Sequence, residues 1–275
     1  MTAPRVSVLV TNYNYAGFLD ECVASVQAQT FGDFEIVIVD DGSRDDSWTV
    51  IEALATADPA RIVPLRQDNA GQAAAFNAGF AASRGAVVAF LDADDTWLPD
   101  KLAATVAAFD TADDVVMVQH YLDILQASDG DYPFATMPPE LPASVVLEDY
   151  FVEHSTDYFA ATSGISLRRD VLARMLPLET SAWRLCADIC ISRPAPLFGR
   201  VVTLAGSHGH YRIHGHNNWM GGEARADFCR NYRERVAFTN AWLARQGERR
   251  RVRPLLNPLY RRRLLRQTLR ALLRR

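Results

Sequence analysis

The chain has 275 residues, 49% of them hydrophobic and 23% charged, proportions that suit one large globular α/β domain with its own core, with or without an appendage. No apolar run approaches the roughly 18–20 residues that span a bilayer, so no transmembrane helix is predicted. The start, MTAPRVSVLVTNYN, has neither a basic leader nor a small-residue cleavage site, so no signal peptide is expected and the expected compartment is the cytoplasm. Net charge is −4, unevenly spread: residues 245–275 hold twelve arginines and one acid, Glu248, so this stretch carries +11 and the remainder −15. A basic tail on an acidic body predicts an anionic partner, such as the inner face of a membrane. Cys22, Cys186, Cys190 and Cys229 match neither zinc spacing nor a disulfide framework and read as packed thiols.

Residues 6–10 form an apolar, β-rich run ending in Thr11-Asn12-Tyr13-Asn14. Phe18, Leu19, Cys22, Val23 and Val26 then fall at helical spacing. Residues 34–39 predict a second strand, which stops at Asp40-Asp41-Gly42-Ser43. Ser43 or Asp45 is placed to cap a helix through Trp48, Ile51 and Leu54. A short strand at 62–65, an alanine-rich helix at 71–82 and a strand at 86–91 follow, the last ending at Asp92-Ala93-Asp94-Asp95. Pro99 opens a helix carrying Leu102 and Val106, and residues 115–118 predict a fifth strand. Beyond residue 120 the periodicity weakens. Residues 123–145, rich in Pro, Asp and Ser, read as a mobile excursion. Residues 158–167 read as a strand, and 183–197 as a helix cut short by Pro194 and Pro196. A closing hairpin is expected at 201–204 and 208–213, and a helix at 223–245. In the tail, Pro254 and Pro258 limit a leucine- and arginine-rich helix to roughly 259–275. It reads either as an interfacial helix or as a surface packed on the body or on a second copy in a homodimer. Nucleic acid is not expected, because among the tail arginines only Tyr260 offers a stacking ring.

Alternation of strand and helix predicts parallel βαβ units, whose ligands bind beyond the carboxyl ends of the strands. Thr11–Asn14, Asp40–Ser43, residues 66–71 and 92–95 fall there. Asp92-x-Asp94 at a strand end is suited to holding a divalent cation against a diphosphate. A carboxylate at Asp40-Asp41 can accept from a uracil-type base or a ribose, and Tyr13 offers a face for stacking.

These features sit in VSVLVTNYNYAGFLDECVASVQAQTFGDFEIVIVDDGSRDDS and RQDNAGQAAAFNAGFAASRGAVVAFLDADDTWLPDKL, and on them the sequence resembles glycosyltransferase family 2, closely over residues 5–102 and more loosely to residue 218. The resemblance implies a GT-A fold for residues 1–222, a Rossmann-like, mixed but mainly parallel sheet flanked by helices. Its nucleotide-sugar half would be residues 1–120 and its acceptor half 121–222, with a helical, Arg-rich extension at 223–275. The implied activity is inverting transfer from a nucleoside-diphosphate sugar, expected to be UDP-linked, with Mn2+ or Mg2+. The acceptor would be a saccharide or lipid-linked hydroxyl in polysaccharide, glycolipid or cell-envelope glycan synthesis. A non-catalytic nucleotide-sugar-binding module and a sugar nucleotidyltransferase are the alternatives, although residues 11–18 lack the Gly-rich basic loop of the latter.

By the same resemblance, the donor would be bound by Thr11, Asn12, Tyr13, Asp40, Asp41, Asn69, Gly71, Asn77, Asp92, Ala93, Asp94 and Asp95. Asp94 and His214 would meet the metal. Asp188, in WRLCADICISRPAPLFG, matches the place of the catalytic base, with Glu179 as the fallback. Ser163-Gly164 resembles a small-residue turn near donor and acceptor. His210-Tyr211-Arg212-Ile213-His214 resembles the family's Tyr-Arg-x-His ending, with Arg212 paired to phosphate or to a buried acid. His208 and His210, two apart, would share a strand face and suggest an independent metal pair instead; no catalytic role is expected for His208 or His216. One departure stands out: where the family has Ala-Arg-Asn, this chain has Ala75-Phe76-Asn77, leaving Gln72 or Arg66 to replace the missing cation.

Overall fold

The computed structural model describes residues 3–126, 134–181, 183–214, 217 and 228–273. In the first part strands and helices alternate: β1 (Val6–Asn12), α1 (Ala16–Gln27), β2 (Phe34–Asp40), α2 (Ser47–Ala57), β3 (Ile62–Arg66), α3 (Gln72–Ala82), β4 (Val87–Asp92), β5 (Thr96–Trp97) and α4 (Lys101–Phe109). The second part contains β6 (Val115–Gln126), β7 (Thr136–Met137), β8 (Ser144–Val145), α5 (Asp149–Val152), β9 (Ile165–Arg168), α6 (Arg169–Ala173), α7 (Asp188–Ser192), β10 (Arg200–Ile213), α8 (Phe228–Arg245) and α9 (Pro258–Leu273). One sheet runs in the order β3-β2-β1-β4-β9-β6-β10-β5, with β7 beside β6 and β8 beside β10.

β1 and β2 are buried along their whole length, because helices cover both faces of a parallel sheet, and their sequences are correspondingly apolar runs. Leu9 joins Phe76 and Phe90 in one buried cluster, while Val8, Val10 and Ile36 join Leu19, Val23 and Ile51 of the helices on the opposite face. Each such side chain contributes about 1.5–3 kcal/mol on burial. Most of the polar exceptions are satisfied, although among the described residues Asn12 Oδ1 has no hydrogen-bond partner. Buried Glu35 accepts from Ser7 Oγ at 2.7 Å and from Arg84 Nη2 at 2.6 Å. The order β3-β2-β1-β4 is parallel throughout. β9 then runs antiparallel to both β4 and β6, and the long β10 runs parallel to β6.

The first four strands and three helices lie where the sequence places them, within a residue or two at most ends. The caps differ. Ser43 does not cap α2; its hydroxyl is used by Asn12 and Asn14, and Asp45 instead accepts the backbone N–H of Ser47 at 3.1 Å and of Ala16 at 3.0 Å. α4 begins at Lys101, two residues after Pro99. Larger differences come after residue 115. β6 extends to Gln126 because it is paired by β10. The described parts of 123–145 include β7 and β8, which pair with β6 and β10 rather than forming an excursion; residues 127–133 lie outside the described residues. Of residues 158–167 only the end is strand, and of 183–197 only Asp188–Ser192 is α-helix. The expected hairpin is one strand, β10, whose pairing shifts register between Thr203 and His210, with Gly206 at φ +78. Such irregular positions carry turn-like residues without being turns. Residues 223–227 and His216 lie outside the described residues, so the boundary expected at 222 does too.

The C-terminal extension shares the core of the body. Tyr232, Val236, Trp242, Leu243, Val252 and Tyr260 belong to the buried cluster that contains Leu9 and Phe76.

Candidate active site

Strand register builds the site. Asn12 lies opposite Asp40, Thr11 opposite Asp92, and Asp40 opposite Arg66. The parallel strands therefore release their polar residues at the same carboxyl edge, where α/β sheets take ligands. A cavity of about 810 Å³ opens there. The first half lines it with Thr11, Asn12, Tyr13, Tyr15, Asp41, Asn69, Gly71, Gln72, Asp92 and Asp94. Thr162, Arg184, Asp188 and Arg193 come from the second half, and Arg235 and Leu259 from the extension.

Three carboxylates crowd the turn after β4. Asp92 Oδ1 accepts from Thr11 Oγ1 at 3.0 Å and from Gln72 Nε2 at 3.3 Å. Asp94 Oδ2 meets His214 Nε2 at 3.0 Å and Asn217 Nδ2 at 3.4 Å. Asp95 is buried; it accepts the Arg212 backbone N–H at 2.9 Å and the Ser163 hydroxyl at 2.5 Å. β10 delivers Arg212 and His214 to this turn because it pairs antiparallel with β5, which follows Asp95 directly. β9, antiparallel to β4, begins beside the end of β4, so Ser163 just ahead of it reaches both Asp95 and the Asp92 N–H. Burial, and next the charge on Asp94, push the Asp92 carboxyl up to about 7, and Asp188 adds to the rise. Burial, then Asp94 and Asp92, hold Asp95 well above the usual carboxylate range. Burial and the same acids raise the Tyr15 phenol. Such crowding favours a cation.

The groups present suit a divalent metal in a particular way. Among the described residues no three His, Cys, Asp or Glu converge as a closed metal site. Asp94 and His214 do bring a carboxylate oxygen and an imidazole nitrogen together. Two protein ligands suit an ion such as Mg2+ or Mn2+ that completes its shell with phosphate oxygens and water. His208 and His210 do not form a metal pair. His208 contacts Asp100 at 3.2 Å, and His210 contacts Thr96 at 3.1 Å.

Several expected residues support the cavity without facing it. Asp40 is fully buried and accepts from Asn12 Nδ2 at 2.9 Å and Ser43 N at 3.3 Å, so it is spent on the turn and does not line the cavity. Asn77 does not line the cavity; it holds Leu178 through both that residue's backbone groups at 2.8 and 3.0 Å. Ala93, Asp95, Ser163, Gly164 and Arg212 also lie behind the lining, and His214 meets the cavity only at its edge, through Asp94 Oδ2. Gly164 is needed for close approach, since a Cβ there would meet His120 O at 2.7 Å. Arg212 binds Glu21 at 2.6 Å and the Asp94 carbonyl at 2.9 Å; its acid partner is exposed, not buried. Glu179 is exposed and outside the cavity. Arg66 pairs with Asp40 at 3.5 Å and also stays out of the cavity, leaving Gln72 as the residue that reaches in.

Asp41 and Gln72 join the two halves. The Asp41 carboxylate accepts from Gln67 Nε2 at 2.7 Å, Ala70 N at 2.9 Å and Gly71 N at 2.8 Å, setting the 67–71 loop. The first amides of α3 donate across to the second half, Gln72 N to Arg184 O at 2.9 Å and Ala73 N to Trp183 O at 3.2 Å. Gln72 Oε1 accepts the Ala187 N–H at 2.8 Å while its Nε2 holds Asp92, so one side chain links the acid turn to the residue before Asp188. Asp188 opens α7. Burial raises its carboxyl, against the opposing pull of Arg193 and Arg235. Gly71 has φ +91, and a Cβ there would stand 2.5 Å from Arg184 Cα. Gly71→Ala is therefore expected to cost about 1–3 kcal/mol in backbone strain and to push away the 183–188 segment. A lowered urea midpoint with unchanged slope checks this; a wild-type midpoint would show that the two segments are not locked together.

Sequence reasoning misses Tyr15, Asp157, Thr162, Arg184, Arg193, Asn217 and Arg235, all of which line the cavity. Tyr15 sits two residues after Tyr13, and Asn217 three after His214, so proximity to a motif was a usable signal. The others arrive from the weakly patterned half or the extension and carry no local signal.

A parallel nucleotide-type half, joined through one antiparallel strand to a second half, with an acid turn where they meet, defines a GT-A class of transferase scaffold. Residues 7–175 match Glycosyl transferase family 2, and the chain belongs to that family. It is 47% identical over 220 residues to an uncharacterized glycosyltransferase of Nostoc sp., covering 78% of this chain and 67% of that one. It is 42% identical over 92 residues to the uncharacterized glycosyltransferase EpsJ of Bacillus subtilis, covering 34% of this chain but 26% of the relative. Its fold is similar to that of S. aureus TarS 1–349 in complex with UDP-GlcNAc, with TM-score 0.64 and 16% identity, covering 87% of this chain and 66% of that chain. It is also similar to the mannosyltransferase PcManGT from Pyrobaculum calidifontis in complex with GDP-Man and Mn2+, with TM-score 0.59 and 17% identity, covering 99% of this chain and 81% of that one. At these identities the two structures bear on the fold, and they agree with the GT-A expectation.

Proposed function

We propose that the chain is an inverting, metal-dependent glycosyltransferase that moves a sugar from a UDP-linked donor to an acceptor hydroxyl in cell-envelope glycan synthesis. The observation that carries this reading is one cavity holding both the acid turn, Asp92 and Asp94, and a separate half-buried acid, Asp188. The nucleoside would lie against Tyr13 and Asp41, in the half formed by residues 1–120. The acceptor would enter from the half beyond residue 121. TarS, solved with UDP-GlcNAc, supports a UDP-linked donor, while PcManGT, solved with GDP-Man and Mn2+, keeps a GDP-linked one in the test.

Asp94 and His214 would hold the metal, whose chemistry when bound is to neutralise charge on the leaving diphosphate. The chain's own groups supply the rest. Asp188 accepts the proton of the acceptor hydroxyl as its oxygen bonds to the anomeric carbon, and the bond from that carbon to the diphosphate oxygen breaks. Gln72 holds Asp92 and the 187 amide in fixed relation, so donor and base keep their alignment. The test is nucleoside-diphosphate release from a panel of UDP- and GDP-linked sugars with Mn2+ or Mg2+. Turnover of a UDP-sugar that stops with chelator is expected; binding of none of the donors would overturn the reading.

The same proposal places the enzyme against a membrane. No described helix is long and apolar enough to cross one. α9 packs inward through Tyr260 and Leu264, yet leaves Leu259, Leu265 and Leu269 exposed among its arginines. That face suits an anionic lipid surface. Replacing Leu265 and Leu269 with Gln spares the packed side, and should abolish co-sedimentation with anionic vesicles at low salt. Equal sedimentation of both proteins would remove the membrane from the proposal.

A further inference from the structure

Arg193 and Arg235 are not used by the chemistry above. Arg193 follows α7 and is 6% exposed, yet it lines the cavity. Among the described residues its Nε is buried without a hydrogen-bond partner. Its ion contact, Asp157 Oδ1 at 3.6 Å, is longer than a hydrogen bond. The same Asp157 oxygen is taken by Arg235 Nη1, so two guanidinium groups share one carboxylate oxygen. Asp188, the other acid nearby, feels both cations but hydrogen-bonds to neither among the described residues. A guanidinium carries five fixed donors and cannot shed its charge. Burying one without acceptors is costly, and a ligand that supplies them removes the cost.

Resting on the proposed function, we infer that Arg193 and Arg235 form a subsite for an oxyanion, phosphate or carboxylate, carried by the acceptor. Planar guanidinium donors match either group in paired hydrogen bonds. Arg193 and Asp188 line the same cavity, and Arg193 is the leading charge acting on the Asp188 carboxyl, so an oxyanion held there would lie near the accepting hydroxyl. The donor diphosphate belongs at Asp94 and does not compete for this place. Met137, Pro138, Pro139, Leu185 and Leu259 also line this cavity, and Leu185 is 55% and Leu259 50% exposed, so its lining has an apolar part that reaches solvent. Phe159 lines the cavity too, with the Arg193 guanidinium 5.7 Å from its ring centre. An oxyanion next to an apolar exit is the arrangement a lipid-linked phosphate would use, although a charged sugar supplies the same oxyanion.

The test is calorimetric titration of the full chain, with UDP and Mg2+ present, by methyl phosphate, methyl glucuronide and farnesyl phosphate. The wild type is expected to bind at least one of these anions. Arg193→Gln and Arg235→Gln should each weaken that binding at least tenfold while UDP affinity changes less than twofold. Asp157→Asn should strengthen it, because the competing carboxylate is gone; a purely structural ion cluster gives no such gain, and this variant keeps the test sound if Arg193→Gln fails to fold. Farnesyl phosphate binding tenfold tighter than methyl phosphate assigns a lipid source, equal binding assigns a water-soluble anion, and both support the subsite. Absence of binding by all three anions at millimolar concentration overturns it. So do unchanged affinity in Arg193→Gln and a parallel fall in UDP affinity. Loss of UDP binding by the wild type would instead strike the proposed function, and the same titration reads it.

Discussion

Asp188→Asn is expected to lower kcat by about 100- to 10,000-fold, the usual cost of losing a general base, while UDP affinity stays near wild type. That loss corresponds to about 3–5 kcal/mol of barrier. The amide keeps the shape and the α7 N-terminus but cannot take the proton. Donor binding should be spared because the proposed nucleotide side of the cavity is lined by residues 11–13, 15, 41, 69, 71, 72, 92 and 94. The pH profile carries a second signature. Burial raises the Asp188 carboxyl, and Arg193 and Arg235 only partly offset it. A base at Asp188, as proposed, works when ionised, so wild-type kcat should fall as pH drops through a value above the ordinary carboxylate range of about 4. Residual activity of Asp188→Asn should lose that limb. If UDP affinity collapses and turnover stays normal, Asp188 belongs to the donor site; Glu179 does not inherit the role, because it lies outside the cavity.

The parallel half of the fold is readable in the sequence because β1, β2 and β4 are buried apolar runs ended by polar residues, and α1, α2 and α4 show an apolar stripe. Val6–Asn12 and Phe34–Asp40 carry that signal without a neighbour to interpret them. The second half is read poorly because its strands are defined by partners. β5, β7 and β8 have two residues each, and no periodicity exists in two residues. β10 is continuous only because β6 and β5 hold its irregular middle, where Ala205 and Gly206 look like a turn.

The candidate site divides along the same line. Carboxylates at strand ends, Asp92 and Asp94, are local features and are found. Which members of a motif face the ligand is not local. Asp40 and Asp41 are adjacent in sequence, yet one is buried in its own turn and the other lines the cavity. Asn77 and Arg212 have the residue types of a binding site and act as clamps, a distinction set by α3 and β10 and invisible in a one-dimensional pattern. Arg193 and Arg235 meet at Asp157 across about 80 residues of chain, and only the packing of α8 on the body brings them together.

Asp94→Asn is expected to separate stability from activity. Asp92, Asp94 and Asp95 lie within one turn, and the charge on Asp94 is the leading electrostatic cause, after burial, of the shifts at both neighbours. Removing that charge relieves repulsion, and the amide can still accept from His214. The metal-free protein should therefore unfold at the wild-type temperature or above it. On the proposed metal reading, the same change removes a carboxylate ligand from a two-ligand site and leaves His214 alone. A divalent ion at a leaving group contributes several kcal/mol to the barrier, and each 1.4 kcal/mol is about tenfold, so transfer should fall by at least about a hundredfold. Thermal shifts give the binding side of the comparison: the extra stabilisation that Mn2+ adds to UDP in the wild type should vanish in the variant, since ligand stabilisation follows concentration over the dissociation constant. A variant that is stable, still shows the Mn2+-dependent shift and turns over normally would remove Asp94 from the metal site. A variant that is less stable than wild type without metal would show instead that the Asp94–His214 contact holds the end of β10 in place, which makes it a structural ion pair.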